Sequence, residues 1–299
     1  MNSTDNKELP IVIYDCFSNR MFGGNVGGIV LDAAMLETDQ MQKIAREINA
    51  PVTGFITAQN GNEVSARFFM PGAEIAMCGH VTVGLFTHLS QGTQGQSEFV
   101  LKAQAGDVPV RVDAQAGDLP NVMMQLSPPS VVDSDVDLDA LAEALNVPAT
   151  AIGAKAPVDM ADAGLKHLCV HFASLSEVQA LAPDFQKLAE VSRANGVHTV
   201  ACFSMETEDA KNTLHLRDFC PTLGADEVPA SGTTNGAMTG YLLRHGFVPP
   251  QSGQILAEQG SEIGRSSLIC NEIEVKQNQI SDLWVGGQAV ASIKGVLTI

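Results

Sequence analysis

Hydrophobic positions along the chain fall mostly in short continuous or alternating runs, with a few windows of helical spacing between them. Ile11-Val12-Ile13-Tyr14-Asp15-Cys16-Phe17 reads as a buried strand and Ile29-Val30-Leu31 as a second. Gly23-Gly24-Asn25-Val26-Gly27-Gly28 reads as the turn that joins them. From 38 to 49, Met41, Ile44, Ala45 and Ile48 recur at spacings of three and four, which predicts an amphipathic helix with Thr38 as N-cap. Strands are predicted over 55–57, 64–70, 99–101 and 108–112. A helix from Gly79 to about Leu89 has Val81, Leu85 and Leu89 on one face.

From about 113 to 139 the chain turns rich in Pro, Asp and Ser, which marks a domain boundary. The order then repeats in outline. Helices are predicted over 138–145 and 185–195, and strands over 168–172, 197–203 and 213–219. A long helix runs from Gly232 to about Arg244, with Gly246 as its stop, and short strands follow between 267 and 293. Many strands with one long helix per half predict the α+β class: two similar domains, each a mainly antiparallel sheet curled around a central helix. The first domain is expected over 1–118, with a strand at about 285–299 returning to it, and the second over 119–284.

The halves also share a motif. Arg67-Phe68-Phe69-Met70-Pro71 precedes Cys78-Gly79-His80-Val81-Thr82-Val83-Gly84. Offset by 150 positions, Arg217-Asp218-Phe219-Cys220-Pro221 precedes Ser231-Gly232-Thr233-Thr234-Asn235-Gly236, whose Ser231 lies 153 positions after Cys78. Each copy reads as a strand, a loop, a small nucleophilic side chain, a glycine and the first turn of a helix. Two such units facing each other across one cleft would bring a thiol and a hydroxyl to one molecule, an arrangement suited to moving a proton at carbon.

Composition narrows the partners. Hydrophobic residues make up 45% of the chain and charged residues 17%, a globular composition. Acidic residues number 34 against 17 basic, so the net charge of −17 disfavours nucleic acid and anionic membrane. A small carboxylate can still be held by local donors at helix N-termini. Residues 1–8 are polar without an apolar signal core, and no stretch has the ~18–20 apolar residues of a membrane span, so a cytoplasmic location is expected. The six cysteines are scattered without a CxxC pair, which predicts reduced thiols and no zinc site. His88, His198 and His215 are too dispersed to suggest any other metal.

Cys78 is the leading candidate for chemistry. A thiol at a helix N-terminus can have its pKa lowered from ~8.5 toward neutrality, and Gly79 lets backbone N–H groups approach a ligand. The competing reading is an inert buried cysteine. Ser231 holds the equivalent place. It reads equally as an N-cap, and a hydroxyl is a poor base unless something activates it. His80 could tune the thiol, donate to substrate or be structural, and Asn25 could contact ligand or only make a turn. Asp226 and Glu227, in the loop leading to Ser231, could act as acids or bases but read more readily as solvated loop carboxylates.

Further motifs resemble the PhzF-like family of phenazine-biosynthesis isomerase relatives, which shares the fold of diaminopimelate epimerase and proline racemase. They are Asp15-Cys16-Phe17, Phe22-Gly23-Gly24-Asn25-Val26, Gly79-His80-Val81-Thr82-Val83-Gly84, Pro229-Ala230-Ser231-Gly232, Glu258-Gln259-Gly260 and Val285-Gly286-Gly287-Gln288-Ala289-Val290. The resemblance implies two epimerase-like domains with a site between them, no cofactor and a homodimer. Two departures bear on the reaction. Val52 stands where the family has a catalytic glutamate, and Val228 where it has an aspartate. Met77-Cys78-Gly79-His80 instead resembles the Met-Cys-Gly-His of proline racemases and 3-hydroxyproline dehydratases. Cys78 and Ser231 are therefore the implied catalytic pair, and Asn25, Gly79, His80, Gly232 and Thr233 the implied contacts to substrate. The expected function is a cofactor-independent isomerase or epimerase moving a proton at the α-carbon of a small carboxylate, amino or imino acid, with Cys78 as base. A 3-hydroxyproline-type dehydratase and a non-catalytic binding protein are the alternatives.

Overall fold

The helix that each sheet encloses forms where the sequence loses its polar face. The computed structural model describes residues 8–115, 118–153 and 155–299. The chain falls into two compact units: one runs up to Met124 and includes Gly286–Ile299, and the other is Gln125–Val285. In chain order the elements begin with β1 (Glu8–Cys16), β2 (Asn25–Val30), α1 (Thr38–Ile48), β3 (Val52–Asn60), β4 (Glu63–Phe69), β5 (Glu74–Ile75), α2 (Gly79–Leu89), β6 (Gly95–Ala103), β7 (Gly106–Ala114) and β8 (Asn121–Leu126). There follow β9 (Ser130–Asp133), α3 (Leu138–Leu145), β10 (Asp159–Asp162), β11 (Lys166–His171), α4 (Leu175–Gln179), α5 (Phe185–Ala194), β12 (Thr199–Ser204) and β13 (Leu214–Phe219). The last are β14 (Glu227–Val228), α6 (Gly232–Arg244), β15 (Gly253–Gln259), β16 (Ser267–Lys276), β17 (Gln279–Gly287) and β18 (Ala289–Thr298).

The fold is α+β, and the two units repeat one pairing series. In the first, β1–β2 is antiparallel, β2–β3 parallel, β3–β4 antiparallel, β4–β6 parallel and β6–β7 antiparallel. In the second, β10–β11, β11–β12, β12–β13, β13–β15 and β15–β16 follow the same alternation. β18 adds antiparallel to β1, and β9 to β10. The sheet of the first unit packs on α2 and that of the second on α6. Residues 81–87 of α2 are all buried, as are residues 234–239 of α6. Helix and strand approach closely in the first unit: a Cβ added at Gly54 on β3 would lie 2.7 Å from Val81 Cγ1. Any larger residue there would push the helix off its sheet. On the outer faces, α1 buries Met41, Ile44 and Ala45 against Phe55 and Phe69, and α3 and α5 bury Leu141, Leu145 and Leu188 against Leu168 and Val200. Among the described residues no helix is long and apolar enough to cross a membrane.

Several local expectations change. Glu37, not Thr38, caps α1, and its backbone N–H donates to Gln40 Oε1 at 2.9 Å. The Thr38 hydroxyl instead accepts from Arg67. Only the first part of the glycine-rich 23–28 stretch is a turn: Gly24 has φ +61°, and β2 starts at Asn25. Gly27 and Gly28 are strand residues whose missing side chains admit Val81 and Thr53. The stretch 113–139 carries β8 and β9, and β10, β15 and α4 were not predicted.

A buried charge cluster ties the second unit together. His215 is fully buried and lies 3.0 Å from Glu258 through Nδ1 and 2.7 Å from Glu262 through Nε2. Glu258 also accepts from the backbone N–H groups of Glu208 and Asp209 and from Asn212. Burial alone would lower the His215 pKa, but hydrogen bonds to Glu262 and Glu258 outweigh it and hold the ring above its ordinary value of 6.5. Burial opposes ionisation of both glutamates. Asn212 and backbone donors for Glu258, and His215 for Glu262, overcome it and hold each below its ordinary 4.5. A raised histidine stabilises fully below 6.5 and loses that contribution as pH rises through its folded value. Lowered carboxylates stabilise fully above 4.5 and lose it as pH falls. All three groups therefore act together between about 4.5 and 6.5. His215→Ala should cost about 3–5 kcal/mol, because two buried carboxylates lose their cation. Thermal melts of both proteins across pH should show the gap widest in that window and narrowing in alkali. A gap independent of pH would mean that His215 is uncharged in the fold.

Candidate active site

In the first unit the strand and loop leading to α2 set the site. Arg67 on β4 makes a paired ionic contact with Glu74 on β5 at 2.7 Å, which pins the segment just before the helix. Cys78 is the N-cap of α2, in extended conformation, and is buried. Its carbonyl accepts from the Thr82 hydroxyl at 2.7 Å, which locks the first turn. The Cys78 thiol lies 3.3 Å from His80 Nδ1, and His80 Nε2 lies 3.1 Å from the Val26 carbonyl oxygen. That carbonyl can only accept, so Nε2 holds the ring proton and Nδ1 turns its lone pair to the thiol, which donates to it. Sulfur, imidazole and carbonyl thus form one oriented line, and Asn25, the residue before Val26, begins the strand at its end. Gly79 opens the helix, where a Cβ would lie 2.7 Å from Met124 Cε.

Electrostatics correct the sequence reading of the thiol. Burial pushes Cys78 up to about 12, against the N–H groups of Val81 and His80, which favour the thiolate. The helix end does stabilise the anion, but desolvation exceeds it. Burial also pushes His80 down to about 4, against its bond to Val26. The resting pair is therefore a neutral thiol donating to a neutral imidazole.

The second unit builds the same frame with other atoms. Arg217 on β13 pairs with Glu227 on β14 at 2.7 Å, here almost fully buried. Ser231 is the N-cap of α6 and its Oγ accepts from the Thr234 N–H at 3.3 Å, so its capping role is real. The same Oγ lies 2.8 Å from the Thr234 hydroxyl and 3.2 Å from that of Thr233. Gly232 is buried and Thr233 half-buried in the first turn. Asn235 donates to the Gln259 side chain at 3.0 Å, and Gln259 donates to the Val228 carbonyl at 2.8 Å. This is how Glu258-Gln259-Gly260 holds the helix start.

The expected residues thus gather in two groups: Asn25, Cys78, Gly79 and His80 in one unit, Ser231, Gly232 and Thr233 in the other. Sequence reasoning missed the Val26 carbonyl, which backbone chemistry alone supplies. It also missed Asp218, a buried carboxylate behind Thr234. Its signal was present in the repeat, where Asp218 replaces the aromatic Phe68. Val52 opens β3 as a buried apolar residue, and Val228 pairs across the ladder with Asp218. All six cysteines are buried, and none is in a disulfide. Among the described residues no cluster of three or more His, Cys, Asp or Glu is placed to hold a metal.

Comparison with known proteins agrees with this architecture. An uncharacterised isomerase of Deinococcus radiodurans is 32% identical over 281 residues, covering 91% of this chain and 89% of that one. An uncharacterised isomerase of Clostridium acetobutylicum is 29% identical over 295 residues, covering 95% and 96%. Among solved structures, a phenazine biosynthesis protein of the PhzF family from Bacillus anthracis superposes with TM-score 0.89 at 23% identity, covering 98% of this chain and 100% of that one. A hydroxyproline epimerase from Agrobacterium vitis, solved with bound trans-4-hydroxy-L-proline, shares the fold at TM-score 0.63 and 13% identity, with 99% and 93% covered. The sequence pattern described as phenazine biosynthesis-like protein matches residues 14–295, so the chain belongs to the PhzC-PhzF family.

Proposed function

We propose that this protein is a cofactor-independent isomerase that moves a proton at the α-carbon of a small carboxylate, an amino or imino acid. Isomerase is the class in which its relatives are named. The observation that carries the reading is the line from the Cys78 thiol through His80 to the Val26 carbonyl. A histidine fixed by its far nitrogen presents a proton acceptor to a sulfur at a helix N-terminus. When Cys78 removes the α-proton, His80 Nδ1 takes the thiol proton as the thiolate forms. When the reaction runs the other way, the thiol returns a proton to carbon. N–H groups at the starts of α2 and α6 are suited to a substrate carboxylate and to the enolate-like charge that develops beside it. Ser231 handles the second proton.

A thiol and a hydroxyl are unequal partners, and that inequality also suits a one-way reaction such as dehydration of a 3-hydroxy imino acid. Deuterium wash-in from D2O, screened over proline, hydroxyprolines and the common amino acids, separates the two. Exchange with inversion marks an epimerase, and an α-keto product marks a dehydratase. Absence of both across the panel would leave a binding protein.

Three predictions follow from the Cys78–His80 geometry. Cys78→Ala should lower exchange on the order of 10²–10⁴-fold with the fold intact by circular dichroism; undiminished exchange would remove the thiol from the mechanism. Because the thiol sits at about 12, exchange that starts from Cys78 should keep rising with pH beyond the range of a free cysteine. His80→Asn removes the acceptor, so its deficit should be large near neutrality and shrink in alkali, where hydroxide can take the thiol proton. A rate that levels off near the ordinary thiol pKa, or an equal deficit at all pH, would contradict this assignment.

A further inference from the structure

The second half-site has a carboxylate where its counterpart has a ring. On β4, Phe68 stands opposite Gly54; on β13, Asp218 holds the same position, opposite Ala201. Asp218 is fully buried, and a buried carboxylate without a cation is costly, so its surroundings need an accounting. Its Oδ2 accepts from the Thr234 hydroxyl at 2.7 Å, and its Oδ1 has no hydrogen-bond partner. Of the ionisable side chains that act on it, Cys169 on β11 shares its face of the sheet, Cys202 on β12 and Glu227 on β14 lie on the opposite face, and Cys220 follows just after β13. Burial raises all three thiols, so they are neutral. His167 on β11 lies 3.4 Å from the Thr234 hydroxyl, and burial pushes it down to about 3, so it too is neutral. Its Nδ1 lies 2.7 Å from the Thr199 hydroxyl, which fixes the ring beside Thr234. Burial raises Asp218 to about 6, against the hydroxyls of Thr199 and Thr234, which favour its charged form.

Thr234 has one hydroxyl hydrogen, and Asp218 takes it. By geometry Thr234 Oγ1 could instead donate to Ser231 Oγ, 2.8 Å away, but an ionised carboxylate can only accept, so with the Thr234 hydrogen on Asp218 the contact to Ser231 needs the Ser231 hydrogen. The result is a continuous line of hydrogen bonds from the partly buried Ser231 Oγ through Thr234 Oγ1 to Asp218 Oδ2, with Thr234 and Asp218 both buried.

We propose that Asp218, acting through the Thr234 hydroxyl, is the terminal proton acceptor and donor for Ser231, so that the second half-site is a three-member relay. This rests on the reading of Ser231 as the group that handles the second proton. In one direction the substrate C–H bond breaks and its electron pair stays on carbon. That proton bonds to Ser231 Oγ, the Ser231 proton passes to Thr234 Oγ1, and the Thr234 proton passes to Asp218 Oδ2. Carboxylate becomes carboxylic acid, and both hydroxyls end as hydroxyls. The reverse movement protonates carbon and restores the carboxylate. Ser231 alone touches the substrate; Thr234 and Asp218 are positioning residues. The relay also answers the weakness of a bare hydroxyl as a base.

The test has a spectroscopic and a kinetic arm. The infrared carboxyl band of Asp218 is identified as the one missing from Asp218→Asn, and is titrated in the whole protein. Thr234→Val should raise its midpoint, because a hydrogen bond to the charged form is lost. Ser231→Ala should move its frequency and midpoint as well. An Asp218 band unchanged in Ser231→Ala would overturn the relay, and this arm requires no substrate. In the kinetic arm, Asp218→Asn and Thr234→Val should lower kcat on the order of 10²-fold with KM nearly unchanged, while Thr234→Ser retains activity. Full kcat in Asp218→Asn would also overturn it. Failure of the Cys78 reading looks different: exchange would survive Cys78→Ala yet fall in Asp218→Asn.

Discussion

Each unit depends on burying the N-terminus of a helix that has no polar face. Such a helix is stable only when a sheet surrounds it, and the sheet can close on it only where side chains are absent, as at Gly54 beside Val81. The same enclosure brings the helix's free N–H groups into a poorly hydrated place. Whatever side chain caps that end is held in one orientation among unsatisfied donors. It also loses water, and for Cys78 that loss outweighs the donors. Enclosure therefore creates both the donor-rich half-site and the need for a neighbour to manage the proton.

The two units meet that need differently. In the first, the neighbour is on the helix itself: His80 reaches back to the sulfur and is held by a carbonyl of β2. In the second, Thr233 takes the corresponding place on the helix and brings no ring to Ser231. The polar chain runs inward instead, from Ser231 through Thr234 to β13. Where the first unit packs Val81 against Gly54 and Phe68, the second places Thr234 and Asp218. Duplicated backbones thus carry unlike chemistry without a change of topology. The Arg67–Glu74 and Arg217–Glu227 pairs, at the same distance in both, show how closely the frame itself is kept.

Much of this was legible in the sequence. The strand, loop and helix of each motif copy lie where spacing put them, because Phe-x-Pro followed by a small residue and glycine constrains the backbone locally. The starts of α2 and α6 were readable to the residue. Elements set by tertiary pairing were not. β8 and β9 lie in a Pro- and Asp-rich stretch that resembles a linker, and β2 includes Gly27 and Gly28, which propensity assigns to turns. The thiol's character is not legible in the sequence for a related reason. A helix N-terminus is visible in sequence, whereas the depth to which it is buried depends on residues far away in the chain. Asp218 was overlooked because a charge between Arg217 and Phe219 reads as an exposed strand position until the ladder shows which way it faces.

The pairing of β18 with β1 has a consequence for biosynthesis. The strand that completes the first unit is made only after all of the second unit. As the ribosome delivers the chain, Gln125–Val285 can reach its native contacts while the N-terminal sheet still has an unpaired β1 edge. That edge is a template for intermolecular strand addition until residues 289–298 emerge. The nascent first half thus carries an open strand edge throughout synthesis of the second unit.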